Sequence, residues 1–369
     1  MSLRLRFAHA FKKIFIFPFN IGSDKLKCRM IEQGFEKGAC EIRVNGRIER
    51  ACRSALRKRD GVWFRMIKSA HLSRPEHYFS IYMSGCNLHC LKCHSAEFSQ
   101  GLNGRLMSTD EIAEMCKEYE GTVTYFEEQN KALMWYATEL CLSCGSCVTE
   151  GVRSNICPGV LKPEQVVFSP QGFGPARNII AYTGGDLACC IDYYVQLTEK
   201  IKERCKNSFI LFETNGYGLT PENLDKLRDA GVNSFWLDIK AFDDDVHRKL
   251  CGTSNRHILS LPEEMKERGF VFEVLSLYIP NWVETDQLVK IAGLVAEVDA
   301  HIPFTLLAFF PSHKLSKNRA PTTMEIVRAY LAMKDAGLKN LKVGNVHVFA
   351  RSEEEWALLD AIVGREGIG

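Results

Sequence analysis

Fifteen of the 369 residues are cysteine, and seven of them fall into two tight groups. Cys86-Asn-Leu-His-Cys90-Leu-Lys-Cys93 places three thiols within eight residues. Cys141-Leu-Ser-Cys144-Gly-Ser-Cys147 is followed, after a gap of nine residues, by Cys157-Pro158. An odd total in a chain of this length argues against a disulfide framework, which belongs to short secreted domains. Crowded thiols are then metal ligands. Three thiolates cannot close a four-iron cluster, so one iron stays open to a non-protein ligand. A structural zinc site wants a fourth ligand, and His94, next to Cys93, is poorly placed to reach the same ion. The second group follows the bacterial ferredoxin habit in its two-residue spacings and its Cys-Pro ending. Its last gap is longer than usual, and a four-cysteine zinc site is the plainer alternative. The other eight, Cys28, Cys40, Cys52, Cys116, Cys189, Cys190, Cys205 and Cys251, lack ligand spacing and read as buried structural thiols.

These groups need a scaffold, and from Tyr78 onward strand-like and helix-like segments alternate. Candidate strands cover 78–84, 179–183, 209–214, 235–239, 270–277 and 303–309. Helix starts stand between them: Ser108-Thr109-Asp110-Glu111, Thr220-Pro221-Glu222 and Thr322-Thr323-Met324-Glu325. Repeated strand–helix units imply parallel strands joined by right-handed crossovers, in an open doubly wound sheet or a partial barrel. Cys86 follows the first strand and Gly184-Gly185-Asp186 the second. Glu213-Thr214-Asn215-Gly216 ends the third, and Asp238 with Lys240 ends the fourth. Ligand sites in parallel α/β folds gather at that edge. Residues 120–177 break the rhythm and carry the second cysteine group, as an insertion with its own small fold would.

The composition, 46% hydrophobic and 25% charged, is that of a globular chain and excludes disordered and fibrous classes. No apolar stretch approaches the ~20 residues of a membrane span. The apolar run at residues 14–19 is short, contains Pro18 and precedes no cleavage site, so a cytoplasmic protein without a signal peptide is expected. The net charge of +2 hides an asymmetry: residues 1–75 hold 18 Lys and Arg against 6 Asp and Glu. That basic stretch fits an acidic partner, a nucleic acid, or a solvated face balanced by the acidic remainder.

The 86–93 loop resembles the three-cysteine signature of the radical S-adenosylmethionine (radical SAM) superfamily, and the likeness continues. Tyr182-Thr183-Gly184-Gly185-Asp186 is similar to the glycine pair that holds the cofactor's amino group, with Asp where most relatives have Glu. Leu211-Phe-Glu-Thr-Asn-Gly216 and the run from Trp236 to Asn255 are similar to glycyl-radical-enzyme activating enzymes. The C-terminal part, from Pro303 through Pro321 to Val346, and the segment from Gly38 to Asn45 resemble the activase-like branch grouped as AmmeMemoRadiSam proteins. The sequence departs from the activases at Lys92, where an aromatic is usual, at Leu275, where an Arg is common, and around Thr305 and Phe310, where a His is common.

The resemblance implies a partial (β/α)6 TIM barrel over residues 76–350. It would carry a basic attachment at 1–75, a ferredoxin-like insertion at 120–177 and a tail at 351–369. It also implies a 4Fe-4S cluster on Cys86, Cys90 and Cys93, with S-adenosyl-L-methionine held by Gly184, Gly185, Asp186, Thr214, Asp238 and Lys240. A second 4Fe-4S cluster is expected on Cys141, Cys144, Cys147 and Cys157, relaying electrons to the first or acting on substrate. The expected activity is that of an oxidoreductase taking electrons from ferredoxin or flavodoxin and abstracting hydrogen, with a partner protein as one substrate class. The competing readings are an iron–sulfur carrier without turnover and a nucleic-acid modifier. The second lacks any aromatic-rich basic motif.

Overall fold

The computed structural model of the protein describes residues 28–44 and 46–369; the run at 14–19 and Asn45 lie outside them. Seven parallel strands form the body: β1 (Phe79–Met83), β2 (Ile179–Gly184), β3 (Phe209–Thr214), β4 (Ser234–Asp238), β5 (Val271–Tyr278), β6 (Phe304–Ala308) and β7 (Leu341–Gly344). They lie side by side in chain order. The crossovers contain α1 (Thr109–Glu120), α2 (Ile191–Arg204), α3 (Pro221–Ala230), α4 (Asp244–Cys251), α5 (Leu261–Glu267), α6 (Thr285–Asp299) and α7 (Thr323–Asp335). A doubly wound sheet reverses its strand order at a switch point; this order never reverses. Right-handed crossovers therefore leave every helix on one face, and α1–α2, α2–α3, α5–α6 and α6–α7 pack pairwise. Of the two architectures open to the sequence, the sheet is the partial barrel.

Strands buried on both sides read as near-continuous apolar runs, and alternate residues divide between the faces. Tyr182 and Phe212 point to the helices, where Phe212 and Tyr194 stand 4.5 Å apart and the Tyr182 hydroxyl lies 2.9 Å from that of Thr198. Thr183, Glu213, Trp236 and Asp238 take the opposite, inner face, as the register requires. All three sequence-read helix starts are present. Ser108 and Thr322 form capping boxes with Glu111 and Glu325, and Thr220 caps α3 ahead of Pro221.

Three additions complete the molecule. On the outer edge of β1, the strand Val62–Leu72 pairs antiparallel and is itself flanked by Leu56–Arg59 and Arg105–Ser108. Part of the basic stretch is thus hydrogen-bonded into the main sheet. Residues 28–44 wrap over the C-terminal strand edge, where Tyr217 donates to the Glu36 carbonyl (2.7 Å) and Arg248 pairs with Glu36 (2.9 Å). At the far edge, α8 (Glu353–Val363) packs on α7, and Gly369 N–H donates to the Val343 carbonyl at 2.9 Å, so residues 351–369 cover β7.

The insertion has a hairpin, Val167–Ser169 with Gly172–Gly174, and a small core of Leu140, Leu161 and Val166. Residues 132–135 also plug the barrel from its N-terminal end. Ala132, Leu133 and Trp135 pack on Tyr78, Ile179, Ala181 and Leu211. The plug is fastened by Ser234 donating to the Ala132 carbonyl (2.6 Å), Met134 N–H to Glu273 (2.7 Å) and Lys342 to the Trp135 carbonyl (2.8 Å). Among the described residues, no helix is long and apolar enough to cross a membrane.

Candidate functional site

The 86–93 loop leaves β1 and crosses the ends of its neighbours under tight backbone control. Asn87 N–H donates to the Asp186 carbonyl (2.7 Å), His89 N–H to Cys251 (3.0 Å) and Leu91 N–H to Leu250 (2.8 Å). Gly85, Gly184 and Gly185 meet where the loops after β1 and β2 cross. A Cβ on Gly185 would stand 2.4 Å from the Gly85 carbonyl oxygen, and one on Gly184 2.7 Å from Phe98, with φ at +85°. Only glycine fits such contacts. Arg65, on the strand Val62–Leu72 and fully buried, donates from Nη2 to the carbonyls of both Gly85 (2.9 Å) and Gly185 (2.8 Å). Sequence reading passed over Arg65, because an arginine in a basic stretch signals a solvated face rather than a buried tie.

Each thiol of the loop meets a polar partner. Asn215 Nδ2 donates toward Cys86 Sγ at 3.6 Å, and Cys93 Sγ and the Ser99 hydroxyl lie 3.1 Å apart. Cys90 is held well above the ordinary thiol range by contact with Cys251 and then by burial, with Lys240 opposing both. Burial, then Asp186, pushes Cys86 up, and burial does the same to Cys93. Three half-buried thiols next to a lysine and an amide donor form a donor set suited to thiolate ligation.

The other expected site residues converge on this loop, but several are already engaged with one another. Asp186 Oδ2 accepts from Thr214 Oγ1 (2.7 Å) and Asn215 N–H (3.0 Å), while Oδ1 accepts from Ala188 N–H (2.7 Å). Burial still raises its pKa. Asp186 therefore staples the end of β2 to the end of β3. Lys240 Nζ and Asp238 Oδ2 form an ion pair at 2.6 Å. Burial works against the Lys240 charge, yet Asp238 and the Cys90 thiol outweigh it and raise the ammonium. Lys92 donates to Ser312 (2.8 Å) and sits 3.3 Å over the Phe310 ring; burial lowers it to about 8.

Beneath these residues lies Glu213, which the quoted motif contains but to which sequence reasoning gave no role. It accepts from the Tyr78 hydroxyl (3.0 Å) and from Thr183. Burial, with Glu76 and Asp238 nearby, pushes its carboxyl up to about 8. Glu273, also buried, reaches about 7, and its Oε2 has no hydrogen-bond partner among the described residues. Burial thus favours the protonated form of both inward-facing carboxyls.

Cys141, Cys144, Cys147 and Cys157 do come together, lining one pocket with Arg153 and Ser154. Ser143 N–H donates to Cys141 Sγ (3.4 Å), and backbone and hydroxyl donors lower the exposed Cys144 thiol. Gly145 is required there, since a Cβ would fall 2.4 Å from the Phe173 ring. This group does not adjoin the first. The Cys141 carbonyl lies 3.1 Å from His77 Nε2, below the start of β1, whereas Cys86 follows its end. The intervening strand spans ~17 Å. Direct neighbourhood of the two groups, which a relay would favour, is absent. Among the described residues, no three or more Cys, His, Asp or Glu side chains, in any of the cysteine groups, stand in the geometry that holds a single ion.

Residues 142–295 match the family model described as the Radical SAM superfamily. The match covers less than half of the chain, runs from the insertion to α6 and does not include the 86–93 loop. A protein of Methanocaldococcus jannaschii, provisionally named a glycyl-radical enzyme activating enzyme, is 28% identical over 150 residues, 40% of this chain and 54% of the relative. The chain thus spans about half the length of that curated relative. Among solved structures, a domain of a pyruvate-formate lyase-activating enzyme from Bacteroides vulgatus superposes with a TM-score of 0.38 at 18% identity, covering 45% of this chain and 98% of that one. SuiB of Streptococcus suis, bound to S-adenosylmethionine, gives 0.38 at 15% identity, covering 50% and 45%.

Proposed function

For a chain whose strands β2 to β5 match the Radical SAM superfamily, we propose an activating-enzyme-like radical SAM enzyme that abstracts hydrogen from a protein or peptide substrate. One observation carries it: a three-thiol loop at the C-terminal end of β1 faces the polar ends of β2, β3 and β4, with hydrogen-bond donors already aimed at its sulfurs. The residues fit a 4Fe-4S cluster, since Cys86, Cys90 and Cys93 are half-buried thiols flanked by Asn215, Ser99 and Lys240. When bound, that cluster and S-adenosyl-L-methionine supply the 5′-deoxyadenosyl radical for hydrogen abstraction.

The chain's own residues orient and exclude. Gly184 and Gly185, lacking a Cβ, let the loops after β1 and β2 cross in contact, and their backbone is the proposed seat of the cofactor's amino group. Asp186 fixes Thr214 and Asn215, and so aims the Asn215 amide at Cys86. Lys240, between Asp238 and Cys90, is the cation placed to receive a carboxylate in exchange for Asp238. Residues 132–135 shut the barrel floor against water, which protects a radical from side reactions. A protein substrate is favoured by the relative's name. A ferredoxin or flavodoxin is the proposed electron source.

The test is anaerobic reconstitution with iron and sulfide, then dithionite and S-adenosyl-L-methionine, with products read by mass spectrometry. 5′-Deoxyadenosine is expected from the wild type and only background from Cys86→Ala, Cys90→Ala or Cys93→Ala. Undiminished product from those variants overturns the assignment.

A further inference from the structure

A third group of thiols is assembled by the fold alone. Cys28 precedes the short helix Arg29–Glu32, Cys40 precedes the strand Glu41–Val44, and Cys52 lies in the helix Ala51–Ala55. Cys189 and Cys190 lie in the turn between β2 and α2. These stretches come from both ends of a long sequence interval, yet all five cysteines line one pocket, together with Arg50. The Cys52 thiol is in hydrogen-bond contact with Cys190, and Cys190 with Cys189. Cys40 is pushed up to about 11 by burial, then by Cys52 and Cys28. The convergence is held by tertiary bonds: Ala51 N–H donates to the Cys40 carbonyl at 2.8 Å, and Gly38 lies so near the 86–93 loop that a Cβ would stand 2.7 Å from the Asn87 carbonyl.

We propose that Cys28, Cys40, Cys52 and Cys190, with Cys189 beside them, form a metal site that holds an iron–sulfur cluster separate from both motif groups. The donor set is thiol only, with no imidazole or carboxylate lining the pocket, and thiolate-only sets select iron–sulfur, zinc or copper(I). Five thiols converging on one pocket gain most from a cation that replaces their protons. Arg50, lowering both Cys40 and Cys52, offsets the negative charge such a cluster carries.

Position separates a redox cluster from a structural zinc. Asn87 lines this pocket and also holds its Oδ1 3.7 Å from Cys86 Sγ. One residue therefore touches both thiol groups, while the Cys141 group lies at the other end of β1. The site is placed to pass one electron, taken from a reduced iron–sulfur or flavin protein, to the cluster on the 86–93 loop. That role rests on the function proposed above; metal binding by these thiols does not.

The experiment uses the full chain with Cys86, Cys90, Cys93, Cys141, Cys144, Cys147 and Cys157 all changed to Ala, reconstituted anaerobically with iron and sulfide. Iron and acid-labile sulfide per chain and the electron paramagnetic resonance of the reduced protein are measured. About four irons with equal sulfide are expected, falling to background when Cys40→Ser and Cys52→Ser are added. In parallel, Cys40→Ser/Cys52→Ser in the otherwise unaltered chain is expected to lose one cluster's worth of iron, which keeps the test decisive if the first variant folds poorly. Unchanged iron in this second variant, zinc without sulfide in the first, or a Cys52–Cys190 disulfide in anaerobically purified protein overturns the proposal. None of these readouts depends on S-adenosyl-L-methionine cleavage, so failure of the catalytic reading leaves the result interpretable.

Discussion

At the scale of single residues, burial rather than residue type decides what each polar group does. Glu213 shows this through pH. Its folded pKa of about 8 lies above the unfolded value, so the folded chain binds more protons and stability falls as pH rises from about 4.5 through 8. Glu273, at about 7, adds to the fall over the lower part of that window. The slope for one such group is about 1.4 kcal/mol per pH unit. Glu213→Gln is therefore expected to flatten the pH dependence of urea unfolding between pH 5 and 8 and to be more stable than wild type at pH 9; an unaltered slope would place the proton elsewhere. Arg65 makes the opposite case, a cation needed in the dry interior. Arg65→Met leaves the Gly85 and Gly185 carbonyls without their donor and is expected to cost about 2 kcal/mol in denaturant titration. It also loosens the 86–93 loop, so reconstituted iron per chain falls. Gly185→Ala acts on the same crossing by steric overlap with the Gly85 carbonyl. The glycine pair and the three cysteines were legible from spacing alone. Arg65 was not, because nothing local distinguishes a buried arginine from the solvated ones around it.

At the scale of elements, local chemistry set the starts and tertiary contacts set the roles. The caps of α1, α3 and α7 lie within four residues of the groups they satisfy, so sequence showed them directly. Ser108→Ala removes one such cap and is expected to lower unfolding free energy by about 1 kcal/mol while leaving the site intact. The insertion was legible as an interruption, and its four cysteines as a group. Its service as the barrel's floor was not, because Leu133 looks like any apolar residue until Tyr78, Ile179 and Leu211 are brought beneath it. Leu133→Ala is expected to destabilise the protein by about 3 kcal/mol and to open residues 120–177 to limited proteolysis; retained resistance would mean that the plug is held by its polar ties alone. The strand Val62–Leu72 was missed for a related reason. Its partly exposed, mixed polar pattern matches an edge strand as readily as a loop, and only pairing with β1 shows which it is.

At the scale of the whole molecule, both ends of the described chain serve the sheet. Residues 351–369 cover the edge of β7 through α8 and the Gly369–Val343 bond. An uncovered edge strand offers unpaired backbone groups to other chains, so ending the chain after Ala350 is expected to give concentration-dependent association in sizing chromatography; a well-behaved monomer would show that the segment is dispensable. Residues 28–44 wrap over the C-terminal strand ends and carry two thiols into a pocket with Cys52, Cys189 and Cys190. The alternation of strands and helices, the polar residues at strand ends and the two short-range cysteine groups were determined by the sequence itself, because periodicity, caps and ligand spacing are local and survive without knowledge of neighbours. Strand order, the choice of barrel over doubly wound sheet, the separation of the two motif groups and the third gathering of thiols were decided only in the folded chain. Each depends on residues far apart in sequence meeting across the sheet, and no short-range pattern encodes which distant segment packs on which.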